Sequence, residues 1–196
     1  MTTPNKKSND VSPNDVSTID IWVVEDDEFY RSTLCSLIGE TPQFDCKGMF
    51  SSVEEALAVL KTDVVPEVVL MDIGLPGMSG IEGVKRIKAI SPATDIIILT
   101  VKEGDQEVFD ALCAGANGYM LKDSTPDEII VAVKEVVGGG APMNAQIARK
   151  VLTTFTKFGP PESDYGLTGR EKEILRYCVD GLKKQQIADK LFLAYY

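Results

Sequence analysis

The most constraining feature of this chain is an apolar run that ends on a single carboxylate. Residues 68–71 (VVLM) are followed directly by Asp72, and a loop rich in Gly and Pro comes next at 73–80 (IGLPGMSG). A short apolar run of this kind indicates a strand that is buried on both faces of a parallel sheet. The acid at its carboxyl end then lies where open α/β sheets bind their ligands.

Three further apolar runs also end in polar side chains: Glu25, Asp26 and Asp27 after residues 21–24, Thr100 after 95–99, and Lys122 after 118–121. Several carboxylates at one edge of a sheet repel one another unless a cation or a proton intervenes. A hard divalent cation with oxygen ligands is the simplest resolution. Acids, a hydroxyl and a lysine together suit a phosphoryl group on a carboxylate, because Mg²⁺ and Lys take up charge on the phosphoryl oxygens.

Apolar runs alternate with segments of helical periodicity, which predicts five βα units. The predicted strands lie near residues 19–25, 43–49, 67–72, 95–100 and 117–121. The predicted helices lie near residues 28–39, 52–61, 79–90, 104–115 and 125–138. Regular alternation implies an α/β fold, with a parallel sheet and helices on both of its faces.

The pattern changes after residue 138, where three consecutive glycines end the last βα unit. Helical spacing returns at 144–158, and residues 159–164 (GPPESD) are typical of a polar linker. Thr168 and Glu171 have the spacing of a capping box, so a helix should begin there, and another is predicted near 184–191. The predicted organisation is a disordered leader at 1–18, an α/β domain at 19–138, a linker at 139–166 and a short all-α piece at 167–196.

Composition and charge exclude several classes of function. The chain contains no histidine, so it cannot itself donate phosphate from a phosphohistidine or build a site that needs imidazole. The net charge is −10; residues 167–196 carry six Lys/Arg and four Asp/Glu, which leaves −12 for residues 1–166. An acidic body disfavours direct contact with nucleic acid, so any DNA contact has to come from the C-terminal piece.

The leader, the lengths of the apolar runs and the cysteines of the sequence indicate the cellular compartment. The leader lacks the apolar stretch of a signal peptide and no run has the length of a membrane helix, so we expect a cytoplasmic protein without membrane contact. The four cysteines show no CxxC or metal-ligand spacing, and we expect them to be reduced thiols: Cys35, Cys46, Cys113 and Cys178.

The chain resembles bacterial two-component response regulators, in which a receiver domain is joined to a LuxR-type (NarL/FixJ-like) helix-turn-helix. The receiver resemblance covers about residues 19–138 and rests on 24–26 (VED), 71–72 (MD), 75–80 (LPGMSG), 99–100 (LT), 114–116 (AGA) and 118–123 (GYMLKD). The helix-turn-helix resemblance rests on 167–171 (LTGRE), 181–182 (GL), 187–188 (IA) and 191–193 (LFL). The receiver resemblance implies a doubly wound, flavodoxin-like sheet of order 2-1-3-4-5, which brings Asp26 beside Asp72.

The resemblance implies a nucleophile and a metal site. Asp72 would accept a phosphoryl group and become an aspartyl phosphate. Mg²⁺ would be the cofactor, held by Asp72, by Asp26 directly, by Glu25 through water and by the backbone carbonyl of Gly74. Asp27 would then cap the next helix, although a register shifted by one residue remains open at this point.

The resemblance also implies residues that contact the phosphate and switch the domain. Lys122 would pair with one phosphoryl oxygen, and Thr100 would donate a hydrogen bond to another. Tyr119 is either an aromatic switch residue that turns inward with Thr100 or an exposed aromatic on an edge strand; both alternatives remain open.

The function implied is that of a response regulator. A sensor histidine kinase or a small acyl phosphate would be the phosphodonor, and a helix-turn-helix, in a possible homodimer, would control transcription. The DNA-reading helix would begin at or after Ala194, so no DNA-binding residues are expected in these 196 residues, and a receiver that acts through protein contacts alone is the alternative. The protein is not expected to be an enzyme beyond its own phosphorylation and dephosphorylation. A haloacid-type phosphatase would need a second acid where Gly74 stands.

Overall fold

The computed structural model describes residues 18–62, 64–101, 104–158, 168–179 and 184–191. It divides into two compact units, Met1–Thr154 and Phe155–Tyr196. Nearly all of the predicted leader, the polar linker from residue 159 and the expected start of a DNA-reading helix at Ala194 lie outside the described residues.

The first unit contains a five-stranded sheet whose strands all run parallel. Its strands are β1 (Ile19–Val24), β2 (Phe44–Phe50), β3 (Val68–Met71), β4 (Asp95–Thr100) and β5 (Gly118–Leu121). Their order is β2-β1-β3-β4-β5, which confirms the predicted α/β fold and strand order. Val24 lies opposite Met71 in the register of β1 and β3, so the residues that follow them leave the sheet side by side.

The five helices that alternate with these strands begin close to where their capping residues predict. They are α1 (Glu28–Gly39), α2 (Val53–Leu60), α3 (Gly80–Ile90), α4 (Asp105–Cys113) and α5 (Pro126–Val137). Four of the five have a side-chain cap, from Asp27, Ser52, Ser79 and Thr125 in turn. Because each cap accepts a backbone N–H that would otherwise lack a partner, the cap fixes the residue at which its helix begins.

Two apolar layers cover the two faces of the sheet. Trp22 and Val24 of β1 pack with the buried side chains of α2, α3 and α4. Ile21 and Val23 of the same strand pack with those of α1 and α5. Successive side chains of a strand point to opposite faces, so a run that is apolar throughout places one layer on each side.

The helix predicted in the linker is α6 (Ala145–Phe158), and its first half packs within the first unit. Ile147 is fully buried in the same cluster as Tyr119. The Tyr119 N–H donates to the carbonyl of Pro142 at 2.9 Å, and Tyr119 forms an isolated parallel bridge with Met143. The compact unit extends to Thr154, and residues 142–147 within it cover the open edge of β5.

The second unit contains α7 (Gly169–Val179) and α8 (Lys184–Lys190). The predicted capping box is present: the Thr168 N–H donates to Glu171 Oε2 at 2.7 Å, and the Glu171 N–H donates to Thr168 Oγ1 at 3.3 Å. The guanidinium of Arg170 donates to the carbonyl of Leu191, which links the two helices. In the part of the chain that is described, no helix has both the length and the apolar character needed to cross a bilayer.

The cysteines correct one prediction. Cys35 of α1 and Cys46 of β2 form a disulfide, with their Cα atoms 5.5 Å apart, whereas reduced thiols were expected. Both side chains are partly buried where α1 lies over β2, a proximity that depends on tertiary packing and leaves no spacing signal in the sequence. Cys113 is a free thiol, as expected, although it is exposed and not partly buried, and the side chain of Cys178 lies outside the described part.

Loss of this disulfide should destabilise the first unit. The bond joins residues with a sequence separation of 11. Closing a loop of that size in the unfolded chain corresponds to about 2–3 kcal/mol of stability. Cys35→Ser should therefore lower the midpoint of urea unfolding of air-oxidised protein, and Cys113→Ser is the matched control that should leave it unchanged. Equal midpoints for the parent protein with and without a reductant would contradict the pairing.

Candidate functional site

Four polar side chains meet at the carboxyl edge of the sheet. Glu25 follows β1, Asp72 follows β3, Thr100 ends β4 and Lys122 follows β5. Glu25 and Asp72 are only 2% and 6% exposed, and Thr100 is fully buried. Lys122 Nζ lies 2.6 Å from Glu25 Oε2 and 3.1 Å from Asp72 Oδ2, so one ammonium group bridges both carboxylates.

Asp72 is surrounded by hydrogen-bond donors. Its Oδ1 accepts the Ile73 N–H at 2.7 Å, and the Thr100 hydroxyl and the Gly74 N–H also hydrogen-bond to its carboxylate. Burial on its own raises the pKa of Asp72, but the hydrogen bonds from Thr100 and Lys122 and the charge of Lys122 outweigh it, so the net pKa is lowered. The carboxylate is therefore held in its ionised form, which is the form that can act as a nucleophile.

The pKa values of the two groups that face Asp72, Glu25 and Lys122, are both raised. Burial raises the pKa of Glu25, and the hydrogen bond and charge of Lys122 offset this only in part. Burial lowers the pKa of Lys122, but its contacts with Glu25 and Asp72 outweigh burial and raise the net value. Lys122 therefore remains a cation at neutral pH, and Asp72 is the acid of the pair whose charge is better compensated.

Three carboxylates at this edge could hold a metal ion. One oxygen from each of Glu25, Asp26 and Asp72 lies within 4.8 Å of the others. Such a set of hard oxygen donors suits Mg²⁺, which binds few protein carboxylates and retains several waters. Asp27 instead caps α1 by accepting the Tyr30 N–H at 2.8 Å, so the structure favours Asp26 over the register shifted by one residue. Ligation by the carbonyl of Gly74 remains a prediction.

Tyr119 lies inside the first unit. Its side chain is fully buried, so the alternative of an exposed aromatic on an edge strand is wrong. The edge of β5 is covered because residues 142–147 pack against it, which the sequence pattern did not indicate. Burial also raises the pKa of the Tyr119 hydroxyl far above the ordinary value, so this side chain stays neutral.

Two site residues on α1 were missed by the sequence-based interpretation. The guanidinium of Arg31 donates to the backbone carbonyls of Glu25 and Asp26, the latter at 3.2 Å. The ring of Tyr30 lies over Lys122, with Nζ 5.1 Å from the ring centroid. Side chains in the first turn of a helix point back toward its N-terminus, so the assignment of Asp27 as the cap contained the signal for both.

Gly80 allows α3 to begin against the backbone of Asp72. A Cβ at this position would lie 1.9 Å from the carbonyl oxygen of Asp72 and 2.8 Å from its carbonyl carbon. The Gly80 N–H donates to the carbonyl of Ile73 at 3.1 Å, which ties the helix to the loop after the acid. Only glycine fits here unless the backbone of Asp72 moves.

Gly80→Ala should therefore be destabilising even though alanine has the higher helix propensity. Overpacking of this kind costs about 1–3 kcal/mol of unfolding free energy. Gly39→Ala is the matched control, because a Cβ there meets nothing within 4 Å. Urea unfolding of both variants checks the expectation, and an unchanged midpoint for Gly80→Ala would contradict the close approach.

Mg²⁺ affinity should depend on Asp26 and not on Asp27. Asp26→Asn removes one of the three clustered carboxylates and should weaken binding at least about tenfold. Asp27→Asn is a matched control, since Asn caps a helix as well as Asp does and should keep the parent affinity. Isothermal titration with Mg²⁺ measures both variants, and a larger loss for Asp27→Asn would transfer the role to that residue.

Two family models match the chain. "Response regulator receiver domain" matches residues 21–134, and "Bacterial regulatory proteins, luxR family" matches residues 166–195. The first match contains all the strand-end residues of the candidate site, and the second contains both helices of the second unit.

Similar proteins agree with these matches. The DNA-binding transcriptional activator DevR/DosR of Mycobacterium tuberculosis is 33% identical over 177 residues, which is 90% of this chain and 81% of that protein. The nitrate/nitrite response regulator protein homolog of Haemophilus influenzae is 30% identical and covers 89% of this chain and 82% of its own length. The crystal structure of a LuxR-family two-component response regulator from Aurantimonas sp. SI85-9A1 has a TM-score of 0.66 and 31% identity, and it covers 71% of this chain and 99% of its own.

Proposed function

Because this chain belongs to the two-component response regulators that combine a receiver domain with a LuxR-type helix-turn-helix, we propose that Asp72 is its phosphoacceptor. A DNA-binding transcriptional activator and a nitrate/nitrite response regulator are among the similar proteins, and this chain matches the models of a receiver domain and of the luxR family. The observation that carries the assignment is the position of Lys122 Nζ between Glu25 and Asp72. A fixed cation beside a buried, ionised carboxylate is the arrangement that a phosphoryl acceptor needs.

The phosphoryl group comes from a phosphohistidine of a sensor kinase or from a small acyl phosphate. An oxygen of Asp72 attacks phosphorus and forms a new O–P bond, while the bond from phosphorus to the donor atom breaks and leaves its electron pair on the donor. Asp72 is already ionised, so no base is needed to activate it. Gly74 stands where a hydrolase of separate substrates would need a second acid, which favours an acceptor over a phosphatase.

Charge on the transferred group has to be compensated. Glu25, Asp26 and Asp72, with the Gly74 carbonyl, would hold Mg²⁺, and this ion would neutralise negative charge on the phosphoryl oxygens. Lys122 would turn from Asp72 toward a phosphoryl oxygen, because phosphorylation of Asp72 removes the carboxylate charge that Lys122 now faces. Thr100 would likewise move its hydrogen bond from the Asp72 carboxylate to the new group.

The move of Thr100 would start the conformational switch. Thr100 ends β4, and Tyr119 lies on the neighbouring strand β5, inside the same apolar cluster as Ile147 of α6. Loss of the contact between Thr100 and Asp72 would shift the balance between two packings of the α4–β5–α5 side. Transcription control, with a second copy of the chain as partner, is the proposed output. A cytoplasmic location is proposed with it, since a sensor kinase and DNA would be met there.

Asp72→Asn should abolish phosphorylation. The amide is a poor nucleophile and carries no charge for Lys122 to balance. Incubation with acetyl phosphate and Mg²⁺, followed by intact-mass measurement, should show one added phosphoryl group on the parent chain and none on the variant. Asp45→Asn, at a partly exposed acid on β2, is the matched control and should be labelled like the parent. Full labelling of Asp72→Asn would transfer the acceptor role to another carboxylate.

A further inference from the structure

The face of the Tyr30 ring provides a third contact for Lys122, besides its two carboxylates. Lys122 Nζ lies 5.1 Å from the ring centroid, within the roughly 6 Å range of a cation–π interaction. The Lys122 side chain is 17% exposed, so most of it is withdrawn from competing water. Attraction between a cation and a ring face is stronger when the cation is desolvated.

The Tyr30 ring is held in place independently of Lys122. Its backbone N–H donates to the capping carboxylate of Asp27 at 2.8 Å, which fixes the residue in the first turn of α1. Its side chain packs on the apolar cluster between α1, α5 and the sheet. The ring therefore presents a fixed surface to the amine.

The hydroxyl of Tyr30 does not explain this placement. Tyr30 Oη is buried and has no hydrogen-bond partner among the described residues. The hydroxyl therefore contributes no hydrogen bond that would fix the ring here, and the contact with Lys122 is made by the ring face.

We propose that Tyr30 is a positioning residue for Lys122. The ring face of Tyr30 keeps the Lys122 amine at the acceptor site while the anionic partners of the amine change. This inference rests on the proposed phosphorylation of Asp72. Before transfer the amine is held by Glu25 and Asp72; after transfer the Asp72 charge is replaced by that of the phosphoryl oxygens. A ring face attracts a cation without demanding one hydrogen-bond direction, so Nζ can move between these partners and remain over Tyr30.

The test compares two substitutions at this position. Tyr30→Leu removes the ring face but keeps an apolar side chain, and it should lower the rate constant of labelling by acetyl phosphate about three- to tenfold. Tyr30→Phe keeps the ring face and should retain the parent rate constant. Mg²⁺ affinity should stay at the parent value in both, since neither removes a carboxylate. Tyr30→Met serves as a second ring-free variant if the leucine variant does not fold.

A double-mutant cycle separates positioning from a general structural role. In the Lys122→Met background, Tyr30→Leu should cause no further decrease in labelling, because the cation that the ring positions is gone. A similar decrease in both backgrounds, or an equal loss in Tyr30→Phe and Tyr30→Leu, would overturn the proposal. Labelling of Tyr30→Leu at the parent rate would overturn it as well. A parent chain that acetyl phosphate does not label would instead refute the proposed function itself.

Discussion

The site depends on one ammonium group, that of Lys122, which bridges two carboxylates at the end of the sheet and compensates part of their charge. Glu25 and Asp72 leave neighbouring parallel strands at the same level, and both are buried. Two such charges at close range could not both remain ionised without a cation between them. Lys122 supplies this cation. It follows β5, which is two strands from β3 and three from β1, so its side chain has to reach across the end of β4. Thr100 ends β4 and hydrogen-bonds to Asp72, so this small side chain lies beside the ion pair between Lys122 and Asp72.

Much of this arrangement could be predicted from the sequence because it follows from local signals. An apolar run that stops at a polar residue fixes where a strand ends, and parallel strands align these ends along one edge. The helix caps fixed the other boundaries: α1 begins after Asp27 and spans residues 28–39 in both the prediction and the structure. The same cap agrees with the predicted register, since Asp27 accepts the Tyr30 N–H while Glu25, Asp26 and Asp72 form the carboxylate cluster.

The features that could not be predicted all depend on tertiary packing. The disulfide between Cys35 and Cys46 requires that α1 lie over β2 with one face of that strand toward the helix. The burial of Tyr119 requires residues 142–147 to fold back on the edge of β5, although glycines at 138–140 suggested a linker there. Neither contact changes the local periodicity of the chain. The sequence pattern therefore contained no sign of them.

The two buried acids differ in how well their charges are compensated. Burial is the largest influence on each, yet the pKa of Asp72 is lowered and that of Glu25 is raised. The difference comes from donors: Asp72 receives hydrogen bonds from Ile73, Thr100 and Lys122, whereas Glu25 has Lys122 and the Asp27 N–H. A difference of this direction agrees with the proposed role of Asp72 as the acid that reacts. Glu25 is the acid whose charge is less well compensated, so it would gain more than Asp72 from a divalent cation bound at the cluster. Under the proposed function, Lys122 would then be free to follow the phosphoryl group.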